Sequence, residues 1–380
     1  MPGRIVLYGA TGYIGKLTAE AMVAAGARPV LAGRNQDRLT ALAARLAQAA
    51  EGVELETAVA DVETPGPLRQ LLGAGDVLVS TAGPFVKVGR SAVAAAVDAG
   101  AIYLDSSGEP PFIRRVFEEF GPRAERTGAV LLTAFGYDYV PGNLAGTLAL
   151  EAAGPAATRV QVGYFVRGNI RKGTSAGTRA SVAGVLLEPG YGFRGGRVVA
   201  ERTAAHVMSF QVDGTRRPGF SIGSSEHFAL PRLRPQTAEG VPAPLTEVGV
   251  YLGWYGAATR LVHYASALAA PLDRLPGVHR ALDRQARRIQ HSRAGPDTGE
   301  AIRSDVVAVA GDANGVTLAT AYLTGGDPYS FTAPMLAWAA GSAAAHGVRP
   351  TGALGPVEAF GLGSLETACA GAGFHRERPR

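Results

Sequence analysis

Cysteine is all but missing from this chain. The one thiol, Cys369, excludes an intrachain disulfide and any cysteine-based metal cluster, and fits a reducing cytoplasm. Long apolar runs are missing as well. No stretch of about 18 uncharged apolar residues occurs. The nearest approach, Val248 to Leu272, is interrupted by Arg260 and His263. It reads as one or two core helices, with weak association at a membrane surface left open. The chain enters an apolar strand within a few residues of Met1, so no signal peptide is expected. The seven histidines are dispersed, none at metal-ligand spacing, so no metal site is expected. Basic residues outnumber acidic ones by 37 to 32 but form no continuous stripe interleaved with aromatics, which argues against a nucleic-acid partner. The net charge of +5 suits an anionic substrate or an acidic carrier instead. What the chain does have is apolar mass. With 47% hydrophobic residues over 380 positions it exceeds one core, and two lobes are expected.

The organising stretch is Tyr8-Gly9-Ala10-Thr11-Gly12-Tyr13-Ile14-Gly15. An apolar strand, Arg4 to Leu7, precedes it. A helical pattern follows, with Leu17, Ala21, Met22 and Ala25 on one face. Strand, glycine turn and helix form the context in which this spacing holds a dinucleotide. The first glycine allows the tight turn, the second lets a pyrophosphate approach, and the third lets helix and strand pack. Backbone N–H groups at the helix start then hold the phosphates.

Further strands follow at intervals set by helical patterns. The second, Arg28 to Ala32, ends at Gly33-Arg34-Asn35. NAD enzymes carry an acidic residue there for the ribose hydroxyl. A guanidinium at Arg34 suits a 2′-phosphate, so NADP(H) is the expected cofactor. The third strand, Val53 to Ala60, ends at Asp61-Val62, where the carboxylate could meet the adenine amino group or equally cap the chain from Thr64 onward. The fourth, Asp76 to Ser80, runs into Ala82-Gly83-Pro84-Phe85 beside the expected nicotinamide position. The fifth, Ala101 to Leu104, leads to a single long helix from Pro110 to Thr127. The sixth, Ala129 to Ala134, ends the first lobe near residue 140. Six strands alternating with helices define an α/β doubly wound parallel sheet, the Rossmann arrangement.

The second lobe reads as mixed α+β. Strands are expected at Thr158–Arg167, Val198–Glu201, Val207–Val212 and Phe228–Leu230. Thr174 to Leu187 and Leu261 to Ile289 read as helices. Asp305–Ala310 and Val316–Leu323 flank Asn314-Gly315, a hairpin signal. Thr332 to His346 reads as a final helix.

The ordered strand-end motifs resemble those of the saccharopine dehydrogenase-like oxidoreductases, above all their actinobacterial branch of trans-acting enoyl reductases. The matching segments are the glycine fingerprint, Ala32-Gly33-Arg34-Asn35, Ala82-Gly83-Pro84-Phe85, Tyr103-Leu104-Asp105 with Gly108-Glu109-Pro110, and Gly136-Tyr137-Asp138 with Val140-Pro141. Ser175-Ala176-Gly177-Thr178 with Ala180-Ser181, and Gly326-Asp327-Pro328-Tyr329 with Thr332-Ala333, resemble later family segments. Ala176 replaces a glycine, Tyr139 replaces a small serine, and a glycine before Tyr329 is absent.

The resemblance implies an NADPH-dependent reductase with a Rossmann domain over 1–140, a substrate domain over 141–345, and a segment over 346–380 that packs back on the Rossmann domain. Gly9, Thr11, Gly12, Tyr13, Ile14, Gly15, Gly33, Arg34, Asn35, Asp61, Val62, Ala82, Gly83, Pro84 and Phe85 are its expected cofactor residues. The first expected reaction is reduction of an activated C=C bond in a small-molecule or carrier-bound acyl substrate. A C=N reductase of saccharopine-reductase type and a non-catalytic NADP-binding protein are the alternatives. A homodimer is left open.

Either reduction needs a proton donor near the acceptor. Tyr103, Ser107, Glu109, Tyr137 and Asp138 stand at strand ends. Tyr137 is favoured as donor and Asp138 as its orienter or a binding carboxylate; a crevice-closing aromatic and a helix cap are their structural alternatives. No Ser…Tyr-x-x-x-Lys arrangement follows the fourth strand, which argues against a short-chain dehydrogenase. Thr178 and Arg179 read first as an ordinary first turn of a helix, with binding of a carboxylate or a phosphopantetheine phosphate as the alternative.

Overall fold

The computed structural model describes residues 3–50, 52–61, 65–168, 189–233, 243–254, 256–269 and 302–377. The chain divides into two compact units. The first comprises Met1–Gly108, Phe112–Val140 and Pro328–Ala372; the second comprises Glu109–Pro111, Pro141–Asp327 and Gly373–Arg380.

The first unit opens with β1 (Ile5–Tyr8), α1 (Tyr13–Ala24), β2 (Val30–Gly33), α2 (Gln36–Ala49), β3 (Thr57–Val59) and α3 (Pro65–Gln70). It continues through β4 (Val77–Ser80), α4 (Phe85–Ala99), β5 (Ile102–Asp105), α5 (Pro110–Arg115), α6 (Gly121–Thr127) and β6 (Val130–Leu132). Every residue of β1, β2, β4 and β5 is buried. A parallel strand covered on both faces needs apolar side chains on both, which is why these read as continuous apolar runs. Each buried Val or Leu contributes about 1.5–3 kcal/mol. The long helix expected from Pro110 to Thr127 is interrupted. Val116–Phe120 widens into a π-helical segment that turns Val116, Phe117 and Phe120 inward. The third strand is also shorter than its sequence pattern, covering Thr57–Val59 alone.

The second unit contains α7 (Val140–Ala153), β7 (Arg159–Arg167), β8 (Pro189–Arg194), β9 (Arg197–Arg202), β10 (Val207–Val212) and β11 (Thr215–Ser221). α8 (Glu226–Ala229), β12 (Glu247–Leu252), α9 (Thr259–Ala269), β13 (Arg303–Gly311) and β14 (Thr317–Gly325) follow. β13 and β14 pair antiparallel around the Asn314-Gly315 turn, as the hairpin signal indicates. Two expectations fail here. Phe228–Leu230 is not a strand; it lies across α8 and a 3-10 turn, buried throughout, so no alternation marks it. Val248 to Leu272 is not purely helical; its start is β12, flanked by β7, β8 and β11. A strand buried on both faces shows the same unbroken apolar run as a core helix. The helix expected over 174–187, with Ser175, Thr178 and Arg179, and the stretch 270–289 lie outside the described residues.

The chain then returns to the first unit with α10 (Pro328–His346), β15 (Gly352–Ala353), α11 (Pro356–Phe360) and α12 (Leu362–Gly371), and ends in the second with β16 (His375–Glu377). α10, within the 141–345 span expected for the substrate domain, groups with the first unit by its contacts. The first sheet is parallel and seven-stranded in the order β15-β6-β5-β4-β1-β2-β3. Apart from β15 this is the doubly wound order. The second sheet is mixed, in the order β10-β11-β12-β7-β13-β14-β16, with β8 and β9 attached beside β12. Phe165, Phe210, Val212, Tyr251 and Val307 form a core cluster on it. Among the described residues no helix is long and apolar enough to cross a membrane.

Candidate dinucleotide site and proton-donor loop

The glycine loop joins β1 to α1. Gly9 has φ of +82°, a left-handed conformation that glycine adopts without strain. A Cβ there would also meet the Ala82 nitrogen at 2.8 Å. A Cβ at Gly15 would collide with the Gly9 carbonyl oxygen, while one at Gly12 would stand 3.2 Å from that same atom. Gly15 therefore serves packing, and Gly12 keeps the exposed side of the loop bare. No side chain caps α1 and no acidic residue enters its first turn. The helix start is thus left to an anion, as a bound diphosphate requires. Thr81 on the β4 side donates its hydroxyl to the Tyr8 and Gly9 carbonyls, both at 3.1 Å, and fixes one loop against the other.

Arg34 is exposed at the end of β2, and the Asn35 side chain caps α2 by accepting from the Arg38 N–H at 2.9 Å. Asn35 thereby acquires a structural role next to its expected cofactor role. Tyr8, buried at the end of β1, has its phenol pushed up to about 12, by burial first, then by the charge of Asp61, with Arg34 opposing. The ends of β1, β2 and β3 thus bring Tyr8, Arg34 and Asp61 into one electrostatic neighbourhood. Val62 lies outside the described residues. Ala82 and Pro84 are half-buried and Gly83 is exposed, with a cis Gly83–Pro84 bond. The Phe85 ring points inward, 5.5 Å from Phe112.

The second group of expected residues sits on the loop from β6 to α7. Its anchor is Asp105, which the strand-end motif contains but to which the sequence assigns no role. Asp105, fully buried at the end of β5, accepts the Ser107 N–H at 2.8 Å and the Ala134 N–H at 2.9 Å. Ala134 has φ of +58°, which costs a residue bearing a Cβ about 1–2 kcal/mol. The Asp105 carboxylate helps to hold that turn. Burial raises the Asp105 carboxyl to about 6, against the lowering effect of those N–H groups. Tyr103 beside it is fully buried and its phenol is raised well above the usual range, first by burial.

Beyond this turn come Tyr137 and Asp138. Tyr137 is buried, and its N–H donates to the Thr332 hydroxyl of α10 at 3.1 Å. Asp138 is half-buried with its Oδ1 out of solvent. Gly108 lies against it; a Cβ there would meet Asp138 Oδ2 at 2.8 Å. Burial alone raises the Asp138 carboxyl to about 7. Among the described residues no cation stands within ion-pair distance of either acid.

A parallel doubly wound sheet, a bare glycine loop and a strand end bearing arginine define a dinucleotide-binding protein of the Rossmann class. Residues 5–132 match the saccharopine dehydrogenase NADP binding domain, so the cofactor of this unit is NADP(H). A Mycobacterium tuberculosis protein provisionally named as a trans-acting enoyl reductase is 39% identical over 186 residues, 48% of this chain and 44% of that one. A Mycobacterium leprae trans-acting enoyl reductase is 41% identical over 142 residues, 37% of this chain and 34% of its own. The aligned part is thus less than half the length of the curated relatives it matches. The saccharopine dehydrogenase (L-Glu forming) of Saccharomyces cerevisiae shares the fold over 100% of both chains with a TM-score of 0.58, at 13% identity. The saccharopine dehydrogenase-like resemblance read from the motifs therefore holds in domain type, in relatives and in fold.

Proposed function

We propose that the protein is an NADPH-dependent reductase of an activated C=C bond in an acyl substrate. The observation that carries this is the pairing of an NADP-binding domain with relatives named for enoyl reduction. NADPH, when bound, supplies a hydride to the β-carbon. The glycine loop from Gly9 to Gly15 and Arg34 hold the dinucleotide, and Ala82 to Pro84 line its nicotinamide end. The enolate left by this addition needs a proton at its α-carbon. Asp138 supplies it. A carboxyl raised to about 7 keeps a proton at neutral pH and can give it up, a balance suited to a general acid. The Tyr137 backbone N–H ties the loop that carries Asp138 to the Thr332 hydroxyl. The donor role thus passes from Tyr137, which the sequence motifs suggested, to Asp138, because the half-buried Asp138 retains exposure that Tyr137 lacks.

The test is NADPH consumption with a panel of α,β-unsaturated thioesters, in free and carrier-bound form, and with cyclic imines. Turnover of the thioesters supports the proposal. Turnover of imines alone, or NADPH binding without turnover of any acceptor, overturns it.

A further inference from the structure

The Gly326-Asp327-Pro328-Tyr329 segment carries a family-like motif for which the site above has no use. Tyr329 lies in the first turn of α10, far along the chain from the glycine loop. Its ring nevertheless meets that of Tyr13, with centroids 5.3 Å apart and planes at 89°. Tyr13 is the first residue of α1, immediately after Gly12. One turn into α10, Thr332 accepts the Tyr137 N–H and donates its own hydroxyl to the Pro328 carbonyl at 2.8 Å. Gly136 permits that approach, since a Cβ there would meet Thr332 Cγ2 at 2.7 Å. The start of α10 is therefore held on one side by the glycine loop and on the other by the proton-donor loop.

An aromatic pair that keeps part of its ring surface in solvent can still take a ligand. This pair does so: Tyr13 is 40% exposed, and Tyr329 is only half-buried. Two phenols at the mouth of a phosphate-binding loop offer ring surface to a flat heterocycle and O–H donors to phosphate or amide oxygens. We infer that Tyr329 is a cofactor-contacting residue, forming with Tyr13 an aromatic edge that the bound NADP(H) covers. The inference rests on the NADP(H) reading of the glycine loop.

Nitration by tetranitromethane, read by peptide mass spectrometry with and without NADPH, tests it in the wild-type protein. NADPH should protect Tyr13 and Tyr329 and leave Tyr264, exposed on α9, unchanged. In direct titration, Tyr329→Ala should weaken NADPH binding by about tenfold, and Tyr329→Phe by a smaller factor set by the lost hydroxyl. Nitration of Tyr329 that NADPH does not slow, or a folded Tyr329→Ala variant that binds like wild type, overturns the assignment. If Tyr329→Ala fails to fold, the nitration result alone decides. Wild-type protein that binds no NADPH overturns the cofactor reading itself, a separate outcome.

Discussion

Two acids of the first unit and the paired acids of the second sheet sit in opposite surroundings, although surface acids of the first unit, such as Glu56 beside Arg4, are paired as well. In the second sheet, Glu247 is bracketed by Arg159 and Arg194, and Arg194 also reaches Glu201 at 3.1 Å. Arg167 joins Asp305 and Asp213, both at 2.7 Å. In the first unit, Asp105 is held by backbone N–H groups, and Asp138 has its carboxyl raised by burial alone. An acid beside a guanidinium is tied into the frame by an ion pair. An acid removed from water without a cation keeps its proton longer and becomes available for chemistry. The difference separates acids tied into the frame by ion pairs, Glu247, Asp213 and Asp305, from two acids, Asp105 and Asp138, that burial raises.

The largest expected effect would break the first unit altogether. Gly15→Val places a branched side chain against the Gly9 carbonyl, and should cost about 3 kcal/mol or more in stability. Chemical denaturation checks this, and the second unit's aromatic core gives an internal comparison. Next, Asp138→Asn should lower turnover by about 10²–10⁴-fold while NADPH affinity stays near wild type. Equal turnover would show that the acid stores no useful proton.

The pH dependence sharpens the same point. Asp138 is protonated below about 7 and ionised above, so turnover limited by its proton falls as pH rises through about 7. Stability moves in the same direction. The folded group binds its proton more tightly than the ordinary value of 3.8, so stability declines as pH rises from that value towards about 7. Asp138→Asn should flatten the kcat/KM profile and reduce the slope of melting against pH, leaving the share that Asp105, raised to about 6, contributes.

A smaller effect concerns cofactor choice. Arg34→Asp should remove an NADPH-over-NADH preference of about tenfold, or about 1.4 kcal/mol, without unfolding the protein. Nucleotide titration of both forms decides it. The smallest effect is expected in the second sheet. Asp305→Asn loosens Arg167 there and should cost about 1–2 kcal/mol, less in high salt, with NADPH affinity unchanged. A large loss of NADPH affinity would erase the division of labour between the two acid types.

The parallel sheet was legible because its signals are local. Glycines at fixed offsets, apolar runs such as Ile5–Tyr8 and Val77–Ser80, and strand-end motifs need no knowledge of distant partners. The second sheet was harder to read because strands such as β8 set glycine, not a polar residue, between their aromatics, so the Tyr191 and Phe193 alternation reads as a glycine-rich turn. β12 looked helical because both of its faces are covered. In the site, the glycine loop could be read directly from residue types. Asp105 could not, because its role depends on the left-handed turn at Ala134, 29 positions away. Tyr329 could be flagged by motif but not placed, since nothing local ties it to Tyr13.

The short strand β15 carries a consequence for how the molecule is made. Gly352 and Ala353 pair with Val130 and Leu131, so the edge of the nucleotide-binding sheet is completed by residues synthesised more than 200 positions later. Until they emerge, β6 offers an open parallel edge, and the face that α10 covers is bare. The unit translated first is therefore among the last to be finished. A nascent chain carries an exposed template for strand pairing through most of its synthesis, the stage at which unpaired edges favour aggregation.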